Sequence, residues 1–312
     1  MEYVLLGNSG LNVSRLGMGG CPMGGYNWGQ VYDDDLLEAV RFAVNNGITM
    51  FDTADTYGLG HSEEILGKAL GEKRKDVVIA TKFGVRYLNG QSFYDNSSGY
   101  IEEAVVGSLI RLKTDYIDLY QIHYRDSKTP IEVVVEKLLE LRQRGLIRFF
   151  GLSNIYHEDI TELLPYKNEF VSFQNEYSLA TRKNERIIQE IAKTLELTPI
   201  TWGSLGQGIL SGKYNKDAAF GTDDRRSRDV YVNFHGDKIL KNLEIVAVLR
   251  SIASTYDKPI PAAAIRFILD YMKQSIVLVG VKNSKQLESN MEALNWELSL
   301  GDINQLLNIS DE

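Results

Sequence analysis

Four side chains that could together move a proton stand at the ends of apolar runs: Asp52 and Tyr57 in FDTADTYG, Lys82 in ATKFG, and His123 in YQIH. A phenol, with a pKa of about 10, is a poor acid at neutral pH. A neighbouring ammonium lowers that value by favouring phenolate, and a carboxylate can hold the ammonium in place. Lys82 is therefore expected to lower the Tyr57 pKa, with Asp52 as the partner of Lys82. His123 can donate a hydrogen bond to a substrate oxygen. The set would protonate an oxygen as it gains charge, which reduction of a carbonyl requires. Singly, each residue has a plainer reading: a surface lysine, a structural histidine, a cap. Asp55, in the same run, reads as such a helix or turn cap.

What must position these groups is a series of alternating strands and helices. Strands are expected near residues 14–18, 48–51, 77–81, 117–121, 147–151, 170–174, 199–202 and 275–279. Helical patterns follow each, the first and seventh after Gly-rich loops. DDDLLEAVRFAVNNG carries Leu36, Val40, Ala43 and Val44 on one face and Gly47 at its end. In TPIEVVVEKLLELRQRG, Thr129 reads as N-cap, Pro130 as the first helical residue, Glu132 as the capping-box partner and Gly145 as the terminator. EDITELLPY reads as a further helix. Repeated βα units demand parallel strands with right-handed crossovers. With no linker or compositional break, the eight-fold count predicts a single domain over 1–312, a (β/α)8 barrel. YVLLGNSGLNVSRLGMGG reads as an N-terminal hairpin capping it.

In such a barrel the active site lies at the C-terminal strand ends. Those ends carry Asp52 and Tyr57, Lys82, Gln121 and His123, Ser153 and Asn154, Gln174 and Asn175, Trp202, and finally Lys282 to Ser284. Gly280 ends the last strand and Lys282, Asn283 and Ser284 open a helix. That combination suits a phosphate, although plain capping by Asn283 or Ser284 accounts for it equally well.

Charge and composition narrow the function. Lys and Arg number 34 against 42 Asp and Glu, a net charge of −8, which disfavours a nucleic-acid or anionic-membrane partner. The single cysteine, Cys21, allows no internal disulfide, and no Cys/His cluster has zinc-site spacing, so no metal is expected. No apolar run approaches about 18 residues, and MEYVLLGNSG lacks the features of a signal peptide, so a cytoplasmic location is expected. A monomer is the default expectation.

FDTADTYG, SEEILGKAL, ATKFG, DYIDLYQIH, GLSN and WGSLGQGILSGK, in this order over nearly the whole chain, resemble the aldo-keto reductases, and most closely their bacterial stress-protein-like branch. The resemblance implies Tyr57 as general acid, Lys82 as the residue lowering its pKa, Asp52 as the partner of Lys82, and His123 as the residue orienting the carbonyl. It implies NADP(H) as cofactor and direct hydride transfer to a small-molecule aldehyde or ketone. Ser153, Asn154 and Gln174 match the positions that hold the carboxamide, and Trp202 stands where the family usually stacks a Tyr on the nicotinamide. The stretch from Gly203 to Lys213, including Ser204, Leu205, Gln207 and Gly208, would wrap the pyrophosphate. The eighth-strand segment from Gly280 onward would take the rest: Lys282 and Ser284 the adenosine 2′-phosphate region, Gln286 and Asn290 the adenine. Many relatives carry Arg at one of the two basic positions; Gln286 is neutral, implying a weaker preference for NADPH over NADH.

Two other functions fit the same residues: a Schiff-base aldolase with Lys82 as nucleophile, and a cofactor-binding accessory or redox-sensing subunit, since the family includes channel-associated members. The irregular stretch from Tyr214 to Asp237, with Asp223, Asp224, Arg225, Arg226 and Arg228, would either close over the cofactor, shape the substrate pocket, or lie as a solvated loop. VRYLNGQSFYDNSSG reads as a pocket wall, with Tyr87, Phe93, Tyr94 and the nearer Trp28 as candidate substrate contacts.

Overall fold

Along a regular barrel strand an apolar residue facing inward is followed, two positions on, by another residue on the same face. The chain uses this period to build an apolar plug below and a polar layer above. The computed structural model of the protein describes residues 1–25 and 27–311. The barrel strands are β3 (Leu16–Gly19), β4 (Met50–Asp52), β5 (Val78–Phe83), β8 (Ile117–Ile122), β9 (Ile147–Ser153), β10 (Phe170–Glu176), β11 (Thr198–Trp202) and β12 (Ile276–Gly280). All pair in parallel and close in the order β10-β11-β12-β3-β4-β5-β8-β9. The expected (β/α)8 barrel and its eight strands are therefore present. The N-terminal hairpin, β1 (Tyr3–Leu5) with β2 (Asn12–Ser14), is present as well. It seals the bottom: Leu6 and Val13 join Met50, Ala80, Leu119, Val171, Ile200 and Leu278 in the apolar cluster inside the barrel.

Around this lies a second core between sheet and helices, built by α1 (Asp33–Asn45), α2 (His61–Leu70), α3 (Ser98–Leu112), α4 (Ile131–Gln143), α5 (Ile160–Leu163), α6 (Glu185–Thr194), α7 (Gly236–Thr255), α8 (Ile260–Tyr271), α9 (Ser284–Met291) and α10 (Leu300–Ile309). One irregularity matters above the others. The pairing of β10 with β9 shifts register between Phe170 and Phe173. Val171 belongs to the inner cluster whereas Phe173, two residues on, belongs to the outer one. The shift changes the phase of the strand, so that Gln174 turns inward at the top.

Several local expectations are corrected. Thr129 does not cap α4: the helix starts at Ile131 behind Pro130, with no side-chain cap. Asp126 draws the Thr129 amide and hydroxyl into its own turn, both at 2.8 Å, which removes Thr129 from the helix end. EDITELLPY breaks into one α-helical turn flanked by 3-10 turns, with Pro165 ending the α-helical pattern. A hairpin, β6 (Val85–Leu88) and β7 (Gln91–Tyr94), and the helix α10 were not anticipated. Among the described residues no helix is long and apolar enough to cross a membrane.

Candidate active site

Asp52, Lys82, Gln121 and Gln174 form one inward-facing polar layer, set above Met50, Ala80 and Leu119 by the strand period. Lys82 is 1% exposed and Asp52 3%. The Lys82 Nζ donates to Asp52 Oδ1 at 2.6 Å, to the Thr53 carbonyl at 2.8 Å and to Tyr57 Oη at 3.4 Å. Its three N–H bonds thus have three acceptors. At 2.6 Å and an effective dielectric of about 20 the ion pair attracts by roughly 6 kcal/mol. Desolvating two ions costs several kcal/mol each, so the pair contributes little net stability. Its position has to be explained by chemistry.

Because Lys82 donates to the phenol oxygen, the phenol's own proton is free to point elsewhere. Gly58 makes this placement possible. It lies at φ +62, and a Cβ there would come within 2.1 Å of the Gly24 carbonyl oxygen, so only glycine lets the chain turn directly after Tyr57. The expected lowering of the Tyr57 pKa is not what the structure favours. Burial pushes the phenol well above its ordinary value, and Cys21, Asp52 and Tyr124 add to that. The reason is physical: Asp52 largely neutralises the Lys82 charge, leaving desolvation dominant. At rest the phenol is firmly protonated.

His123 stands edge-on to Tyr57, ring centroids 5.8 Å apart at 83°. Burial, with the Lys82 charge adding to it, holds its pKa well below the usual imidazole value, so the ring is neutral. Its Nδ1 is buried and has no hydrogen-bond partner. A lone pair tolerates that better than an N–H, which places the proton on Nε2. Behind His123, Tyr124 stacks at 5.0 Å and Tyr94 of the β6–β7 hairpin stacks on Tyr124 at 4.9 Å. That hairpin also carries Tyr87, 50% exposed, and Phe93, 42% exposed. Asp55 is not a helix cap, since Gly60 precedes α2. It faces the Tyr100 hydroxyl at 3.1 Å, and burial, with Glu63 nearby, pushes its carboxyl up to about 7.

The family model described as "Aldo/keto reductase family" matches residues 15–311. The chain belongs to the aldo/keto reductase family. This aldo-keto reductase is 38% identical over 305 residues to the aldo-keto reductase YhdN of Bacillus subtilis, covering 97% of this chain and 91% of that protein. It is 30% identical to the NADH-specific methylglyoxal reductase of Escherichia coli, covering 97% and 96% of the two chains. Among solved structures, the glycerol dehydrogenase AKR11B4 from Gluconobacter oxydans superposes with a TM-score of 0.88 at 31% identity, covering 98% of this chain and 94% of that one.

Enzymes of this family use a nicotinamide coenzyme, and the groups at the mouth of this aldo-keto reductase are suited to one. Asn154, at φ +54, donates to the His123 carbonyl at 3.1 Å and to Ser153 Oγ at 3.0 Å. That leaves the Asn154 Oδ1 as an acceptor and the Ser153 hydroxyl proton as a donor. Gln174 turns its NH2 inward and keeps Oε1 without a donor among the described residues. One donor and two acceptors complement a carboxamide. Trp202 stands half-buried at the end of β11, and the Ser204 hydroxyl is tied to the Leu278 carbonyl at 2.9 Å. The chain then turns through left-handed Gln207 and Gly208, with Gly206 and Leu205 buried or partly so and Lys213 exposed.

The segment after β12 is more fully hydrogen-bonded within the protein than the sequence suggests. Asn283 caps α9 by accepting from the Gln286 amide at 3.0 Å, which is the plainer of the two readings. Gln286 accepts from the Lys282 amide, Ser284 donates to Glu38 at 2.8 Å, and Asn290 is buried. The Lys282 ammonium donates to the Trp28 carbonyl. The 214–237 stretch is docked, not solvated: Asp224 and Arg226 are buried as an ion pair, and the Arg225 amide donates to Asn27 at 2.9 Å. Trp28 therefore belongs to this strap, with the Arg225 guanidinium 4.9 Å above its ring.

Sequence reasoning overlooked the Thr53 carbonyl, since any residue type supplies one. It placed Gln121 at a strand end without a role, although a fully buried glutamine two residues before His123 is itself a signal. Tyr124 was overlooked for the same reason as any aromatic beside a strand end, where core packing is the ordinary explanation.

Proposed function

We propose that the protein reduces an aldehyde or ketone to an alcohol, with Tyr57 as general acid and NADP(H) as coenzyme. The observation carrying this is the three-way bonding of Lys82, which leaves the Tyr57 proton to be donated outward beside a neutral His123. A reduced nicotinamide, when bound, supplies the hydride to the carbonyl carbon. The His123 Nε2–H orients the carbonyl oxygen, and Tyr57 passes its proton to that oxygen as it gains charge. The resulting phenolate is stabilised by the Lys82 ammonium, which Asp52 holds in place. Ser153, Asn154 and Gln174 would hold the carboxamide, Trp202 would pack on the ring, and the 203–213 turn would receive the pyrophosphate. Lys282 would supply the positive charge for the 2′-phosphate. The neutral Gln286, the Ser284–Glu38 hydrogen bond and the NADH-specific Escherichia coli relative support only a modest preference for the phosphorylated coenzyme.

The test follows NADPH consumption with a reactive aromatic aldehyde in wild type and Tyr57→Phe. Turnover should fall by about 10²- to 10⁴-fold in the variant, with NADPH affinity unchanged. Near-normal turnover in the variant would overturn the role of Tyr57.

A further inference from the structure

The Asp52 carboxylate does more than hold Lys82. Its Oδ2 accepts from Gln121 Nε2 at 3.2 Å and from Gln174 Nε2. Gln174 Nε2 also donates to Gln121 Oε1 at 2.9 Å. An ionised carboxylate only accepts, so each amide must present its NH2 to it. Were Gln121 reversed, its carbonyl oxygen would face the carboxylate and its NH2 would face that of Gln174, two repulsive contacts at once. With Gln121 fixed, both N–H bonds of Gln174 are committed inward. Its Oε1 is the end left over, although Asp52 and Gln174 are 122 residues apart in sequence.

We propose that Gln121 is a positioning residue: with Asp52, it locks the Gln174 amide so that Oε1, and not NH2, meets the carboxamide NH2 of the coenzyme. This rests on the reading of the protein as a nicotinamide-dependent reductase. The carboxylate that holds the proton-donating apparatus then also sets the acceptor that orients the nicotinamide. Gln121 is fully buried and acts only through its two neighbours.

The test measures dissociation constants, by quenching of tryptophan fluorescence, for NADP+ and for its analogue in which a 3-acetyl group replaces the carboxamide. The analogue sets a methyl group against Gln174 Oε1, so wild type should bind it about tenfold more weakly. In Gln121→Met the amide of Gln174 loses its fixed sense, and the ratio should drop to about threefold, the discrimination that Asn154 Oδ1 still supplies. Asp52→Asn keeps the shape but presents either end of an amide; the ratio should drop there as well, and this variant decides the matter if Gln121→Met does not fold. A wild-type ratio near one, or a wild-type ratio retained in a folded variant, would overturn the proposal. Failure of wild type to bind either coenzyme would instead defeat the reductase reading itself.

Discussion

Two buried charge clusters sit at opposite ends of this barrel, and they are built on opposite terms. At the bottom, Glu2 joins Arg15 at 3.1 Å and Arg266 at 2.6 Å, and Arg266 joins Asp270 at 2.7 Å. Two cations meet two carboxylates, and further guanidinium donors reach the carbonyls of Leu269, Ser275 and Ala293, while the Arg266 Nε is buried without a partner. Although burial raises the Glu2 pKa, its arginine partners more than reverse the effect and hold it low. At the top, Lys82 and Asp52 are equally well paired, yet His123 Nδ1 and Asp55 Oδ1 are buried without partners. Burial raises Tyr57 and Asp55 and lowers His123. The lower cluster closes the fold by pairing charge with charge, whereas the upper one keeps neutral titratable groups beside its ion pair. Buried groups held neutral against their usual protonation cost stability, and they cluster where they are used.

Removing a charge should therefore act differently at the two ends. Arg266→Met leaves Asp270 without its cation and Glu2 with Arg15 alone, and should cost about 3 to 5 kcal/mol in urea unfolding. The kcat/KM of the folded fraction should stay near wild type; a comparable loss of activity would erase the distinction between the clusters.

Asp55→Asn should do the reverse. In the folded state Asp55 keeps its proton up to about 7, whereas the unfolded chain releases it near 3.8. Folding then holds the extra proton, so stability declines as pH rises through that window, by as much as about 4 kcal/mol in full. The variant should match wild type at pH 4 and exceed it at pH 8. A difference independent of pH would mean that Asp55 is not protonated in the fold.

The smallest effect sharpens the upper site alone. Lys282→Ala should weaken NADPH by about tenfold, the scale of one charge-assisted contact, and leave NADH unchanged. Equal loss for both coenzymes would assign Lys282 to its other partner, the Trp28 carbonyl of the strap.

By itself the sequence determined the alternating elements, because the apolar period of strands and helices and their Gly and Pro boundaries are local properties. It also determined that Asp52, Lys82, Gln121, His123 and Gln174 stand at strand ends, where a barrel gathers them. Closure of the barrel decided the rest. The register shift in β10 turned Gln174 inward against the simple alternation of its strand. The direction of the Tyr57 and Asp55 shifts followed from desolvation, which depends on every neighbour and not on the residue's own type. The docking of the 214–237 strap on Trp28, and the stacking of Tyr94 and Tyr124 behind His123, likewise join segments that the chain sequence keeps apart. Residue types fix which chemistry is available; only packing fixes which atom each donor reaches and how much water is left beside it.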